Sequence, residues 1–340
     1  MPTVWFLILA VMVTVYVILD GFDLGAGALH LIVARTEEER EQVIEAVGPV
    51  WNGNEVWLLA SGGVLFMAFP LAYASSFSGL YFGLIIVLWL LVGRGLSLEL
   101  RHQLENPLWR SACDVVFALS SAALALVFGV ALGNVVRGVP LSADGYFQLP
   151  LFNILNWYAL LVGAFGLVAL AAHGANLLAM RVEGPVRERA ARIARWLWYA
   201  EVAFFVGLAG PTHAVQADQL DRLTDHPWTL IFPVLAAASL IAMFVSQRRR
   251  LWGRAFLASS AFILGMLTTM AAGLYPYVLR AREGNVNGLT VDTASTSHHG
   301  LVTAMVWWPI GITMAIVYFV VAYRLFFRST VRAALGADDT

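Results

Sequence analysis

The sequence predicts an all-α integral membrane protein with nine transmembrane helices, its N-terminus outside and its C-terminus in the cytoplasm. Three observations carry that expectation. Of 340 residues, 60% are hydrophobic and only 13% are charged, whereas a soluble domain carries about a quarter charged residues. Such a chain cannot cover its own surface in water. Apolar runs of about 20 residues, the length an α-helix needs to cross a hydrocarbon core, recur nine times along it. The 21 Lys and Arg positions are all arginine, and they are distributed unevenly: Arg137, Arg222, Arg280 and Arg282 flank one side of the spans and the other 17 flank the opposite side. The positive-inside rule assigns the arginine-rich side to the cytoplasm.

The expected spans are 4–33, 50–70, 72–98, 113–136, 152–180, 196–215, 228–247, 255–279 and 300–327. The first lacks a basic leader and its apolar stretch is too long for a signal peptide, so it reads as a helix of the protein. It and the fifth are long enough to tilt or to project past the headgroups. The second opens after Pro49 with a polar turn, and the third closes among Arg94, Glu99 and Arg101. The fourth opens at Asp114 and stops before Arg137, the sixth follows the basic stretch 187–195, and the seventh runs into Arg248, Arg249 and Arg250. The eighth follows Arg254, and the ninth opens at His298 and His299. Pro70, Pro211, Pro233, Pro276 and Pro309 are positioned to kink or end helices. No linker, low-complexity tract or soluble domain interrupts the series.

Composition also narrows function. A net charge of −1 offers no basic field for a polyanion, so nucleic acid is not an expected partner. Cys113 is the only cysteine, which leaves no disulfide, thiolate metal cage or iron–sulfur site within the chain.

Ionisable residues inside a membrane are costly and are candidates for function. Asp20 and Asp23 lie roughly 24 and 28 Å along the first span from Val4 at about 1.5 Å per residue, toward its cytoplasmic end. The second span begins on that side with Trp51, Asn52, Asn54, Glu55 and Trp57, the third ends there with Arg94, Glu99 and Arg101, and the fourth starts there with Asp114. Asp20 with Asp23, and Asn52 with Glu55, are i, i+3 neighbours on one helix face. Two readings stand: end-caps and headgroup-level ion pairs, or a hydrated proton-uptake route built of carboxylates and hydrogen-bonding neighbours. Carboxylates suit such a relay because desolvation raises their affinity for the proton. Asp218, Asp221, Asp225, His226, Asp292, His298 and His299 belong to the opposite side, mostly in connections.

A haem held between helices wants axial ligands facing each other at similar depth. His30 and His173 are the nearest to such a pair; adjacent His298 and His299 would point about 100° apart if helical, a poor geometry for joint chelation. Trp5, Trp109, Trp157, Tyr158, Trp228 and Trp252 fall where an aromatic belt is expected. Trp51 and Trp57 instead bracket the polar turn of the second span. The residues alone leave three classes open: a subunit of a redox complex, a secondary transporter, and an assembly subunit. Charges at one boundary and the lack of a repeat between the halves count against the transporter.

Asp20-Gly-Phe-Asp-Leu-Gly25 resembles the signature of subunit II of cytochrome bd-type quinol oxidases. It is followed in the family's order by Gly48-Pro-Val-Trp-Asn-Gly-Asn-Glu-Val-Trp-Leu58, Phe69-Pro-Leu-Ala-Tyr-Ala74, Arg94-Gly95, Glu99-Leu-Arg101, Trp109-Arg110 and Gly129-Val-Ala-Leu-Gly-Asn134. Beyond residue 140 the match is sparser, with Gly273-Leu-Tyr-Pro276 and Ala294-Ser-Thr-Ser297. The resemblance implies two four-helix bundles, 1–140 and 150–280, plus a ninth peripheral helix at 298–328, all paired with a subunit I. It implies that subunit I carries the b- and d-type haems and oxidises quinol. This chain would then hold no haem, metal or complete active site; it would support subunit I and help supply cytoplasmic protons. A structural quinone, bound lipid and a small accessory subunit are further expectations, in the bacterial inner membrane. The proton path so implied runs through Asp20, Asp23, Asn52 and Glu55 with Asp114 behind them, while Arg94, Glu99 and Arg101 steady the boundary by pairing. Asn52 departs from the family's aspartate and cannot titrate, so Glu55 one turn on is expected to take the protonic role. Ser297-His298-His299 is a second departure, pointing to a divergent branch with a different electron donor or partner.

Overall fold

The computed structural model describes residues 1–147, 149–282 and 287–334, with the side chains of 151, 219–221 and 326–334 outside the description. It is built almost wholly of helices. In chain order they are α1 (Pro2–Val33), α2 (Glu37–Val47), α3 (Trp51–Ala68), α4 (Pro70–Gly79), α5 (Tyr81–Leu100), α6 (Pro107–Arg137) and α7 (Leu151–Ile154). The second half holds α8 (Trp157–Arg181), α9 (Gly184–Gly207), α10 (Ala209–Val215), α11 (Ala217–Asp225), a 3-10 turn (Pro227–Leu230), α12 (Ile231–Arg248), α13 (Trp252–Leu274) and α14 (His298–Ala334). Two short strands, β1 (Tyr277–Leu279) and β2 (Leu289–Thr290), pair antiparallel before α14.

Among the described residues, seven helices are long and apolar enough to cross a membrane: α1, α5, α6, α8, the 3-10 turn with α12, α13 and α14. The second and sixth expected spans do not meet that measure as single helices. The first turn of α3 is the polar Trp51-Asn-Gly-Asn-Glu55, and the opening turns of α9 carry Arg187, Glu188, Arg189, Arg192 and Arg195. Other boundaries moved as well. The third expected span breaks at Leu80 into α4 and α5. The eighth ends at Leu274 rather than 279, and its last residues form β1. The expected connection after α1 contains an 11-residue helix, α2, started by a capping box: Glu39 N–H donates to Thr36 Oγ1 at 3.3 Å while Thr36 N–H donates to the Glu39 carboxylate. Its polarity hides it from a search for apolar runs.

α1 is the axis of the molecule, packed on α3, α6, α8 and α13. Small residues allow the close crossings. A Cβ on Gly25 would lie 1.8 Å from the Leu170 carbonyl oxygen, and one on Gly174 would lie 2.2 Å from Ala26 N. The two backbones of α1 and α8 therefore touch, the small-residue packing expected of helices in lipid. That contact fixes the height at which α1 delivers Asp20 and Asp23. By contrast, α14 lies on the outside. It is held by Trp5 Nε1 donating to the Leu301 carbonyl at 3.2 Å, by Phe319 packed against Trp57 with ring centroids 5.4 Å apart, and by Tyr323 against α3.

Candidate functional site

The expected polar belt is two layers, not one. The deeper layer is built from α1, α3, α5 and α14. Arg94, wholly buried, donates from Nη1 to Asp20 Oδ2 at 3.0 Å and from Nη2 to Asp20 Oδ1 at 2.5 Å. This bidentate fork takes both oxygens of an equally buried carboxylate. Glu55 Oε1 stands 3.7 Å from Arg94 Nη2, and Glu55 is half-buried at the rim. The Trp51 ring lies beside the guanidinium, its centroid 5.9 Å from Cζ.

Asp23, one turn on from Asp20, is held differently. Asn54 Nδ2 donates to Asp23 Oδ2 at 2.7 Å and to the Leu19 carbonyl at 3.1 Å. Tyr323 of α14 donates its hydroxyl to Asn54 Oδ1 at 2.8 Å. A relay of hydrogen bonds thus runs from the outermost helix to the buried carboxyl. Among the described residues, Asp23 Oδ1, Glu55 Oε1, Tyr16 Oη and Trp57 Nε1 are buried with no hydrogen-bond partner. Polar atoms so placed are rare and costly, and here they share one small region.

The second layer lies two to three turns further along α1, about 10–15 Å by helical rise. Asp114 accepts from Arg101 Nε at 2.8 Å and from Arg40 Nη1 at 3.2 Å, with His30 Nε2 2.9 Å from Oδ1. Arg101 extends outward to Glu41 at 2.6 Å and Glu37 at 2.8 Å, both on α2. His102 reaches Glu41 at 2.9 Å. On the same helix Glu39 bonds Arg189 of α9 at 2.5 Å; that partner and the Arg35 backbone N–H hold its carboxyl down at about 2.

Several expected placements change. Asn52 is exposed on the other side of α3, and the amide that meets Asp23 is Asn54. The helical spacing Trp51, Asn54, Trp57, Ser61, Val64, Ala68 is the buried stripe of α3, and that periodicity was the available signal. Glu99 is exposed and forms no ion pair among the described residues, because it projects from the outward side of α5. Arg94 and Arg101 do pair, but in separate layers with Asp20 and Asp114. Asp114 is therefore not in contact with the Asp20 and Asp23 cluster. His30 and His173 do not face one another. His173 Nε2 donates to the Ile18 carbonyl at 3.0 Å and Nδ1 lies 2.6 Å from Ser259 Oγ, while His30 turns to Asp114. His298 and His299 are both exposed in the first turn of α14. Tyr16 and Tyr323 were not singled out from the sequence, since neither departs locally from an apolar membrane helix.

Residues 1–326 match the family model for cytochrome bd terminal oxidase subunit II. The chain is 30% identical over 301 residues to cytochrome bd ubiquinol oxidase subunit 2 of Bacillus subtilis, covering 87% of each. It is 29% identical over 335 residues to cytochrome bd-I ubiquinol oxidase subunit 2 of Escherichia coli, covering 89% of this chain and 88% of the other. It is likewise 29% identical to the probable cytochrome oxidase subunit 2 of Haemophilus influenzae over 95% of its own length and 93% of that protein's. A chain in the structure of bd oxidase from Geobacillus thermodenitrificans shares the fold at a TM-score of 0.76 and 17% identity, covering 96% of this chain and 98% of that one. With a family model spanning nearly its whole length, this chain belongs to the cytochrome bd terminal oxidase subunit II family.

Proposed function

We propose that this chain is the haem-free subunit II of a bd-type terminal oxidase, in which quinol electrons reduce oxygen to water at b- and d-type haems in subunit I. Its own tasks are to support that subunit and to admit cytoplasmic protons. The complex sits in the bacterial inner membrane with this chain's N-terminus outside. The chain crosses nine times, in two four-helix bundles with a peripheral α14, and an odd number of crossings leaves the termini on opposite faces. The haem-free reading is supported by the engagement of His30 with Asp114 and of His173 with Ser259 and the Ile18 carbonyl, so that these two imidazoles do not face each other.

The observation that carries the proton role is the asymmetry within the deeper layer. Both oxygens of Asp20 are hydrogen-bonded to Arg94, whereas among the described residues Asp23 Oδ1 and Glu55 Oε1 are buried without a hydrogen bond, Glu55 Oε1 standing 3.7 Å from Arg94 Nη2. Asp20 and Arg94 then act as a fixed charge pair, and Asp23 and Glu55 as the groups that take up and release a proton. Glu55, at the half-buried rim, receives it; Asp23, oriented by Asn54, passes it inward. Asp114 with His30 lines the mouth between this cluster and the cytoplasm. Asn52 lies off the route. The groove of about 370 Å³ between α1, α3 and α14, lined by Trp5, Trp57, Trp307, Trp308 and Phe319, suits a structural quinone. A small accessory subunit would join at the outside of the assembly.

The test is oxygen consumption and proton uptake by the purified complex carrying Asp23→Asn or Glu55→Gln, with exposed Glu99→Gln as control. Both activities should fall together in the first two and stay unchanged in the control. Full turnover in both carboxylate variants would overturn the path.

A further inference from the structure

The proton path leaves untouched a cluster at the opposite flank of the molecule. Where α9 meets α12, a cavity of about 230 Å³ is lined by Arg192, Arg195, Trp196, Tyr199, Phe244 and Arg248, with buried Gln247 at its floor. We propose that this cavity is a binding site for the phosphodiester headgroup of an anionic phospholipid.

Charge is the first argument. Among the described residues, none of the three arginines forms an ion pair, and no acidic side chain lines the cavity. Arg192 and Arg195 lie one turn apart on α9 and both are exposed. Across the groove Arg248 leans over the Phe244 ring at 5.0 Å and donates to Tyr199 Oη at 3.5 Å. Arg249 and Arg250 follow directly in the turn to α13. Three arginines line one space with no carboxylate among its lining residues, and although Arg195 Nε donates to the Ala191 carbonyl at 3.1 Å, their charge calls for an anion; guanidinium suits phosphate oxygens in geometry as well as charge.

Depth is the second argument. α9 changes character along its length: its first turns are rich in Arg and Glu, and from Trp196 on it is mostly apolar. The cavity lies at that change. Trp196, 71% exposed, and Tyr199 present the amphipathic rings that seek the headgroup level of a bilayer, and Phe244 continues the wall toward the hydrocarbon. A basic pocket between helices at the arginine-rich face is the arrangement that holds an acidic lipid. A free phosphate would use the arginines but not the aromatic wall.

The experiment uses the intact oxidase complex in detergent, titrated separately with short-chain phosphatidylglycerol, short-chain phosphatidylcholine and inorganic phosphate. Phosphatidylglycerol should bind more tightly than phosphatidylcholine. Each arginine removed should weaken it roughly fivefold, so Arg192→Gln, Arg195→Gln and Arg248→Gln together should weaken it about a hundredfold. The triple arginine-to-lysine variant keeps the charge and should retain the preference, which separates headgroup binding from damage to the fold. Equal binding of the two lipids, or an unchanged triple glutamine variant, would overturn the site. Binding of inorganic phosphate without a preference for phosphatidylglycerol would overturn its assignment to lipid.

Discussion

The pair Asp20 and Arg94 is the strongest energetic statement the structure makes, and a double-mutant cycle measures it. Both side chains are wholly buried and joined by two hydrogen bonds, at 2.5 and 3.0 Å. Arg94→Met leaves the Asp20 carboxylate in the protein interior with no cation beside it. Asp20→Leu leaves Arg94 with half-buried Glu55 at 3.7 Å and with Asp23, one turn further along α1. Removing one partner of a buried pair costs about 3–5 kcal/mol, a loss of about 4–7 °C in melting temperature for a chain of 340 residues. The double replacement removes both charges and fills the space with apolar groups, a change that is often neutral or stabilising. The expected pattern is therefore two strongly destabilised single variants and a double variant near the wild type, with a coupling of several kcal/mol. Thermal unfolding of the detergent-purified complex, followed by tryptophan fluorescence, supplies the four values. Single variants as stable as the wild type, or a double variant as poor as the two losses added, would refute the buried-pair reasoning.

Gly25→Ala should prevent assembly or cost well over 3 kcal/mol, because the new Cβ would sit 1.8 Å from the Leu170 carbonyl oxygen; Gly207→Ala, with nothing within 4 Å, should be neutral or gain up to about 1 kcal/mol. Yield and melting temperature of the two variants distinguish these outcomes. Glu39, held at about 2 by Arg189, has a folded-state value below its ordinary one of 4.5, so its contribution is full above about pH 4.5 and is lost as pH falls toward 2. The stability difference between wild type and Glu39→Gln should thus be constant from pH 7 to 5 and shrink at lower pH; a difference that grows on acidification would reverse the sign of the argument. Glu201 of α9 is 1% exposed, and its Oε2 has no hydrogen-bond partner among the described residues. Glu201→Met should consequently melt no lower than the wild type, and a drop of several degrees would show that the carboxyl has a partner of its own.

Membrane residence and helical architecture were legible in the sequence because both depend on composition summed over about 20 residues, which no tertiary detail alters. The Asp20 and Asp23 motif was legible for a related reason: a charge inside an apolar helix stands out wherever that helix lies. Its neighbours were not legible in the same way. Asn52 and Asn54 are alike as letters, and only the packing of α3 on α1 decides that Asn54 meets Asp23 while Asn52 faces outward. Arg94 and Arg101 sit seven residues apart near the end of α5 and looked like one boundary belt. The close crossing of α1 with α8 sets α1 in depth, so that Asp20 meets Arg94, while the packing of α6 on α5 brings Asp114 to Arg101. Tyr323 lies 269 residues from Asn54 in the chain, and their hydrogen bond exists because α14 returns along α3. What the sequence determined alone follows from local hydropathy and charge; what tertiary structure decided is which polar atoms share a low-dielectric space, because that depends on the rotation and height of each helix against the others.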